Sequence, residues 1–481
     1  MIFLGKSERF QDIRRREAIY ITVKLPKTNG GGPLKRLSPL LRSTLVMTLV
    51  SLGLRLLGLL VNSRIAALMG AEGMGLMQLG LSAETLAIAL AASGIRFSVT
   101  RLAAEELAKG RRDRVRRVVG DALRYALFCS CLAGLLLTLL ADAAADLSGD
   151  GRLRLPLRLF ALSLPPLALC SVFSGYFTAV RRPWKAGAAQ VLEQIAASGL
   201  TLLALPRIPP DRPEIGCAAV ALSGAAADLL SLALSSLLYL HEQRGVPRPD
   251  TAESIGKRLL GLSLPLALSS YARTALSTLQ HMLVPRSLRK GGLAAAAALG
   301  VYGTVSGMVF PVLGFASVFF GALSEMLIPE LTEAQLRGDR AGLRRSAQRI
   351  LSACFLFSGL VSVLIFLLGP GLGQRIYRSA EAGQYLRALA PLVIVMYMDS
   401  VVDGMLKGLG LQLGSMFINI ADAALTLGCI CLLLPRYGIP AYIAVIYGSE
   451  CFNFLLSCLL LGRRLRGERT RPRGPLYINM L

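Results

Sequence analysis

Twelve stretches of mainly apolar residues, separated by short polar connections, leave few folds open to this chain. The stretches fall near 43–67, 76–99, 118–141, 156–180, 185–205, 215–240, 257–283, 296–323, 346–369, 386–407, 411–434 and 439–461. A helix crossing the hydrocarbon core of a bilayer needs about 20 such residues. Only a helix or a closed barrel satisfies every backbone N–H and C=O there. Apolar residues make up 54% and charged residues 17% of the 481 positions, whereas a soluble protein carries about 25% charged residues. An ordinary water-soluble enzyme and a disordered chain are both excluded. The connections carry helix breakers, among them Gly70, Gly149, Pro183, Pro209, Gly291, Gly292, Pro435 and Gly438. None is long enough to fold as a soluble domain. The pattern predicts an all-α polytopic membrane protein of about twelve transmembrane helices.

The 53 Lys and Arg outnumber the 29 Asp and Glu, for a net charge of +24. Such an excess raises the question of nucleic acid, and the placement of the charges answers it. With a cytoplasmic amino terminus, 36 of the basic residues fall on the cytoplasmic side and 13 on the other, while Arg55, Arg96, Arg124 and Arg273 lie inside spans. That asymmetry predicts both termini inside and makes the basic excess a topology signal, with anionic membrane lipids as an additional partner and no nucleic acid. Residues 1–40 are expected to be a basic, flexible cytoplasmic leader without a cleavable signal pattern, and 463–481 a basic cytoplasmic tail. The nine cysteines sit in or beside apolar runs with no CxxC pair, and only His241 and His281 accompany them. A disulfide framework or metal site is disfavoured, and no cofactor is expected.

An internal repeat organises the spans. Residues 104–117 (AEELAKGRRDRVRR) and 332–345 (TEAQLRGDRAGLRR) align at an offset of 228, matching Glu105 with Glu333, Gly110 with Gly338, Arg112 with Arg340, and Arg116 and Arg117 with Arg344 and Arg345. Both copies follow the second helix of a six-helix group. Because six is even, the halves enter the membrane in the same direction, as a parallel repeat about an axis along the membrane normal. The expected lobes are 41–243 and 244–462, enclosing a cavity.

The strings LMGAEGMGLMQLGLSAETLAIALAASGIRFSVTRLAAE (68–105) and YGTVSGMVFPVLGFASVFFGALSEMLIPELTEAQLRGD (302–339) resemble the stage V sporulation protein B and polysaccharide flippase branch of the multidrug/oligosaccharidyl-lipid/polysaccharide (MOP) exporter superfamily. The resemblance covers most of the chain from about residue 40. It implies two six-helix bundles facing each other in a V, as in MATE transporters, and alternating access in a bacterial cytoplasmic membrane. It implies as substrate an undecaprenyl-pyrophosphate-linked oligosaccharide or peptidoglycan precursor, and enzymes of envelope synthesis as partners. Lipid II flippases often carry two further carboxyl-terminal helices. Here 462–481 is basic and polar, which favours the twelve-helix layout.

An ionisable residue inside a span is costly and is a functional candidate by default. Arg55 lies about 12 residues, roughly 18 Å, into the first span, near the midplane. The resemblance places it in an R-x-L-G motif (Arg55 to Gly58) facing the cavity, where a guanidinium fork suits phosphate oxygens. Glu84 falls at similar depth and is a further substrate-binding candidate, although an Arg55–Glu84 ion pair competes with ligand binding. Arg273 is the matching cation candidate of the second lobe. Arg96, Arg101 and Arg124 lie nearer the cytoplasmic ends and suit snorkelling, with Arg96 also a candidate rim for a pyrophosphate head. Acidic positions inside spans are Glu84, Glu193, Asp228, Asp399, Asp403, Asp422 and Glu450. Asp399 and Asp403 share one helix face. They read either as a proton or sodium site, or as an Asp403–Lys407 pair that leaves Asp399 unexplained. Asp422 and Glu450 are alternative coupling carboxylates. Three functions compete: a flippase for a polyprenyl-linked glycan, a cation-coupled exporter of small organic cations, and a membrane glycan polymerase or ligase. The last needs a large outer catalytic loop that the connections do not supply. No Ser-His-Asp, Walker or HExxH pattern is present, so a transporter rather than an enzyme is expected.

Overall fold

The computed structural model describes residues 39–209, 211–244, 256–317 and 340–466. The expected leader as far as residue 38, the expected tail from residue 467 and the second basic motif as far as Asp339 lie outside the described residues, while 39–40 and 463–466 are helical. Residues Met1–Val46 group as one unit and Met47–Leu481 as another; the site lies in the second.

The described residues form helices and no strand. In chain order the spans are α1 (39–69), α2 (71–108, broken at 93–94), α3 (Arg112–Leu139), α4 (Gly151–Ala179), α5 (Pro183–Arg207), α6 (Pro213–Glu242), α7 (Gly256–Lys290), α8 (Ala295–Leu313), α9 (Arg340–Tyr377), α10 (380–408), α11 (412–437) and α12 (439–466). Eight helical runs are long and apolar enough to cross a membrane, or nine with the pair in α10 bent by 56°. Two of the eight are folded-back pairs.

The run Pro39–Ala92 contains 54 residues, and straight it would reach about 80 Å, far beyond the roughly 30 Å hydrocarbon core. Gly70 (φ 69°) ends α1 in a conformation that costs glycine little, and the chain folds back, so that Arg55 and Met77 line one cavity. Gly438 (φ 62°) divides α11 from α12 in the same way. There, Ser449 Oγ donates to Asp422 Oδ1 at 2.9 Å and Asn453 Nδ2 to Asn419 Oδ1 at 3.0 Å, across the hairpin. Large apolar side chains pointing outward, such as Leu356, Leu367, Phe128 and Leu432, are about two-thirds exposed or more, as lipid-facing surface requires.

Irregularities of the backbone repeat. The left-handed residues Gly149 and Arg378 stand 229 positions apart, as do Arg181 and Gly410. The break in α4 at Ala161–Ser163 matches the bend in α10 at Ala390 and Pro391 with the same spacing. The offset of 228 in the sequence motif therefore extends to the helix breaks, with one residue inserted.

The repeats meet along α2, α7 and α8. Thr278 Oγ1 donates to the Ser82 carbonyl at 3.0 Å, Ser263 Oγ to Ser98 Oγ at 2.8 Å, and Arg258 reaches Glu105 at 2.8 Å. At the other end, Gly75 and Gly303 let α2 and α8 touch backbone to backbone: a Cβ on Gly303 would sit 2.1 Å from the Ala71 carbonyl oxygen. Nearby, Arg152 bridges Asp150 and Glu72 at 2.7 and 2.6 Å. Burial alone would raise the Asp150 carboxyl, yet its hydrogen bonds from the Arg152 side chain and backbone hold it below the ordinary value.

Candidate functional site

The path from sequence to site runs through Pro311. A proline has no N–H to give the carbonyl four residues back, which here is Gly307, inside the single π-helical stretch Thr304–Val309 of α8. Asn62 Nδ2 on α1 takes that place, donating to the Gly307 carbonyl at 2.6 Å. Such bulges recur at functional sites. Asn62 and Pro311 both line a cavity of about 560 Å³.

That cavity is walled by α1, α2, α5 and α8 and contains Arg55, Asn62, Gln78, Gln190 and Gln194, with Ser51 at its edge. Among the described residues, no carboxylate lines it. Arg55 Nη1 donates to Ser317 Oγ at 3.1 Å, carrying a first-repeat cation across to the second repeat. Through Gln78 and Leu81 it adjoins a smaller cavity of about 160 Å³ between α2 and α7, lined by Ser82, Thr85, Thr274, Ser277, Thr278 and His281. The combined space offers one guanidinium, four amides and several hydroxyls, groups whose chemistry suits phosphate and hydroxyl oxygens.

The predicted site residues do not all gather there. The Arg55–Glu84 ion pair, the alternative to ligand binding, is not formed; Glu84 instead meets the break in α4, where Ser163 Oγ donates to it at 2.7 Å. Arg273 is exposed and lines neither cavity; its neighbour Thr274 does. Arg96 is also exposed, outside both cavities. Of the four substrate-binding candidates, Arg55 alone lines the cavity. Gln78, Gln190, Gln194, Asn62 and Thr274 were not singled out by sequence. The available signal was hydroxyl and imidazole groups at 274, 278 and 281 on one face of α7.

The carboxylates form two matched groups instead. Cys170, Glu193 and Asp228 lie within electrostatic reach of one another on α4, α5 and α6. Their counterparts 229 positions on are Asp399, Asp422 and Ser457, on α10, α11 and α12, also mutually close. Glu450 feels both Asp399 and Asp422. Asp422 accepts from Ser449 at 2.9 Å, whereas Asp399 Oδ1 is buried without a hydrogen-bond donor. Asp403 is held by Lys407 at 2.6 Å and accepts from Ser415. No group of three or more His, Cys, Asp or Glu among the described residues is arranged to hold a metal ion.

A family model described as polysaccharide biosynthesis protein matches residues 40–335. The chain belongs to that family. A similar protein is stage V sporulation protein B of Bacillus subtilis (strain 168), 25% identical over 425 residues, covering 86% of this chain and 82% of that protein. Lipid II flippase MurJ of the same organism is 26% identical over 167 residues, 33% of this chain and 31% of its own length. Among solved structures, a multidrug resistance MATE family transporter of the MOP superfamily in its inward-facing conformation superposes with a TM-score of 0.58 at 16% identity, covering 88% of this chain and 94% of its own. The likeness extends the MATE fold to this polysaccharide biosynthesis family member, a multi-pass membrane protein.

Proposed function

We propose that the protein is a flippase that moves an undecaprenyl-pyrophosphate-linked oligosaccharide or peptidoglycan precursor across the bacterial cytoplasmic membrane by alternating access. One observation carries this reading: the cavity holds the Arg55 guanidinium among amides and hydroxyls and, among the described residues, no carboxylate. A guanidinium in a low-dielectric cavity attracts pyrophosphate and repels organic cations. The amides and hydroxyls suit the sugar attached to it. The asymmetry of basic loops supports an orientation with both termini cytoplasmic. In a reconstituted leaflet-translocation assay with a defined polyprenyl-pyrophosphate lipid, Arg55→Ala should lose translocation at least tenfold while still inserting in the membrane. Unchanged translocation by that variant overturns the proposal.

For coupling, the reading is a proton or sodium site at the carboxylates of the second repeat, with the membrane potential as the alternative drive. Asp399 has a buried carboxyl oxygen with no donor, and Asp422 and Glu450 stand near it. Asp403 serves the fold through Lys407. A second reading, export of organic cations, is favoured by the two carboxylate groups, whose negative charge would draw such substrates. Dye efflux on expression, with no change in envelope lipid intermediates, would select it.

A further inference from the structure

A cavity of about 700 Å³ lies away from the Arg55 site, at the end of the first repeat where the basic connections 109–111, 181–182 and 243–244 converge. Arg112, Arg181, Arg182 and His241 line it, together with one carboxylate, Glu242. That carboxylate is already engaged. Lys185 Nζ sits at 2.5 Å and Arg182 Nη1 at 2.9 Å, and the Tyr176 hydroxyl donates to it at 3.1 Å. Among the described residues, Arg112, Arg181 and His241 therefore face the cavity with no acidic partner in its wall.

Two further observations point to a ligand. Gln243 is 91% buried in this wall, and while its Nε2 donates to the Tyr176 hydroxyl at 3.3 Å, its Oε1 has no partner. A buried acceptor left unpaired is costly, so whatever fills the cavity meets an acceptor beside the cations. Arg181 sits at φ 58°, and the position 229 residues on, with the same backbone, is Gly410 at φ 76°. The left-handed conformation costs a non-glycine residue about 1–2 kcal/mol. The second repeat avoids that cost with glycine; the first keeps a guanidinium there. Trp184, the single tryptophan of the chain, is exposed beside the cavity, as suits the headgroup level of a bilayer.

We propose that this cavity is a binding site for a phosphate-bearing headgroup that also carries a hydroxyl or amine donor, distinct from the Arg55 site and independent of what that site transports. The phosphate lies between Arg112 and Arg181, and the donor reaches Gln243 Oε1. The chemistry is shared by an anionic glycerophospholipid and a free phosphate ester.

The test uses the full chain, purified and delipidated, titrated separately with dioleoylphosphatidylglycerol, dioleoylphosphatidylcholine and glycerol 3-phosphate, reading thermal unfolding and, for the lipids, native mass spectrometry. Phosphatidylglycerol or glycerol 3-phosphate should stabilise the protein saturably while phosphatidylcholine does not. A response to glycerol 3-phosphate identifies the headgroup alone as sufficient; a response to phosphatidylglycerol alone identifies a lipid. Arg181→Gly relieves the left-handed backbone, so it keeps or raises the unliganded unfolding temperature, yet it should weaken binding about tenfold, as loss of one charge-assisted contact does. Arg112→Gln should weaken it similarly. The proposal is overturned if both variants bind phosphatidylglycerol and glycerol 3-phosphate as tightly as the parent, or if the parent does not distinguish either from phosphatidylcholine.

Discussion

The proposed alternating access requires the seam between α2 and α8 to part, and the glycines there set how closely it packs. A methyl group on Gly303 would lie 2.1 Å from the Ala71 carbonyl oxygen, 2.3 Å from the Gly75 nitrogen and 2.8 Å from its Cα, where real contacts stay beyond 3.0 Å. All three neighbours are backbone, so no rotamer change relieves the clash and α8 must move by about 1 Å, consistent with the low compressibility of packed interiors. Overpacking of this kind costs about 1–3 kcal/mol. If only the sealed state bears that cost, the balance between sealed and parted states shifts about 5- to 150-fold. Hydrogen–deuterium exchange of the reconstituted protein reads this directly. Gly303→Ala should speed exchange in 71–76 and 299–304 by that factor and leave the basic-loop end no less protected. Gly199→Ala, where an added Cβ meets nothing within 4 Å, is the control and should change neither. Unaltered exchange at the seam in a folded Gly303→Ala protein would refute the idea that this contact is what closes the end.

Other outcomes follow from the ionic contacts. Glu242→Ala leaves Lys185, whose side chain is 8% exposed, buried without a counter-ion, so stability should fall by about 3–5 kcal/mol; the double change Lys185→Met with Glu242→Leu should recover much of the loss in a thermal unfolding measurement. Asp399→Asn should abolish the response of translocation to a proton gradient while Asp403→Asn retains it, and a retained response in the Asp399 variant removes that carboxyl from coupling. The Asp150 carboxyl is held below its ordinary value, so its contribution to stability is present above the unfolded carboxylate value near about 4. It is lost as pH falls through the lower folded value. Local exchange around 149–153 should therefore rise only in strong acid, and Asp150→Asn should remove that dependence.

The helices were legible in sequence because lipid enforces one rule everywhere: about 20 apolar residues and no unpaired backbone. The turns at Gly70 and Gly438 were legible for a related reason, since a 54-residue helical run cannot stay straight in a 30 Å layer and a glycine is the place where it folds at least cost. The repeat was half visible. Its basic loop kept the same residue types, whereas its polar groups exchanged theirs, pairing Cys170 with Asp399 and Asp228 with Ser457, so only the backbone irregularities 229 apart bring the rest to light.

The candidate site shows where such reading stops. Counting residues along a span gives depth, and on depth alone Arg55, Glu84 and Arg273 were equivalent candidates. Azimuth decides what a side chain meets, and azimuth is set by packing: the α2–α8 seam and the Ser163 hydroxyl turn Glu84 away, while the α2–α7 contacts turn Thr274 and Ser277, rather than Arg273, into the cavity. Charge also drew attention at the expense of neutral polar groups. An intramembrane arginine announces itself by its cost, but Gln78, Gln190 and Gln194 carry little such penalty. They supply most of the polar wall around Arg55. On the proposed function, specificity for the headgroup is therefore expected to lie more in those amides than in the charged residues. Substituting Gln190 or Gln194 by leucine should change which glycan is carried while Arg55 still holds its phosphate; translocation that is equally indifferent to sugar identity in both variants and the parent would count against that division of labour.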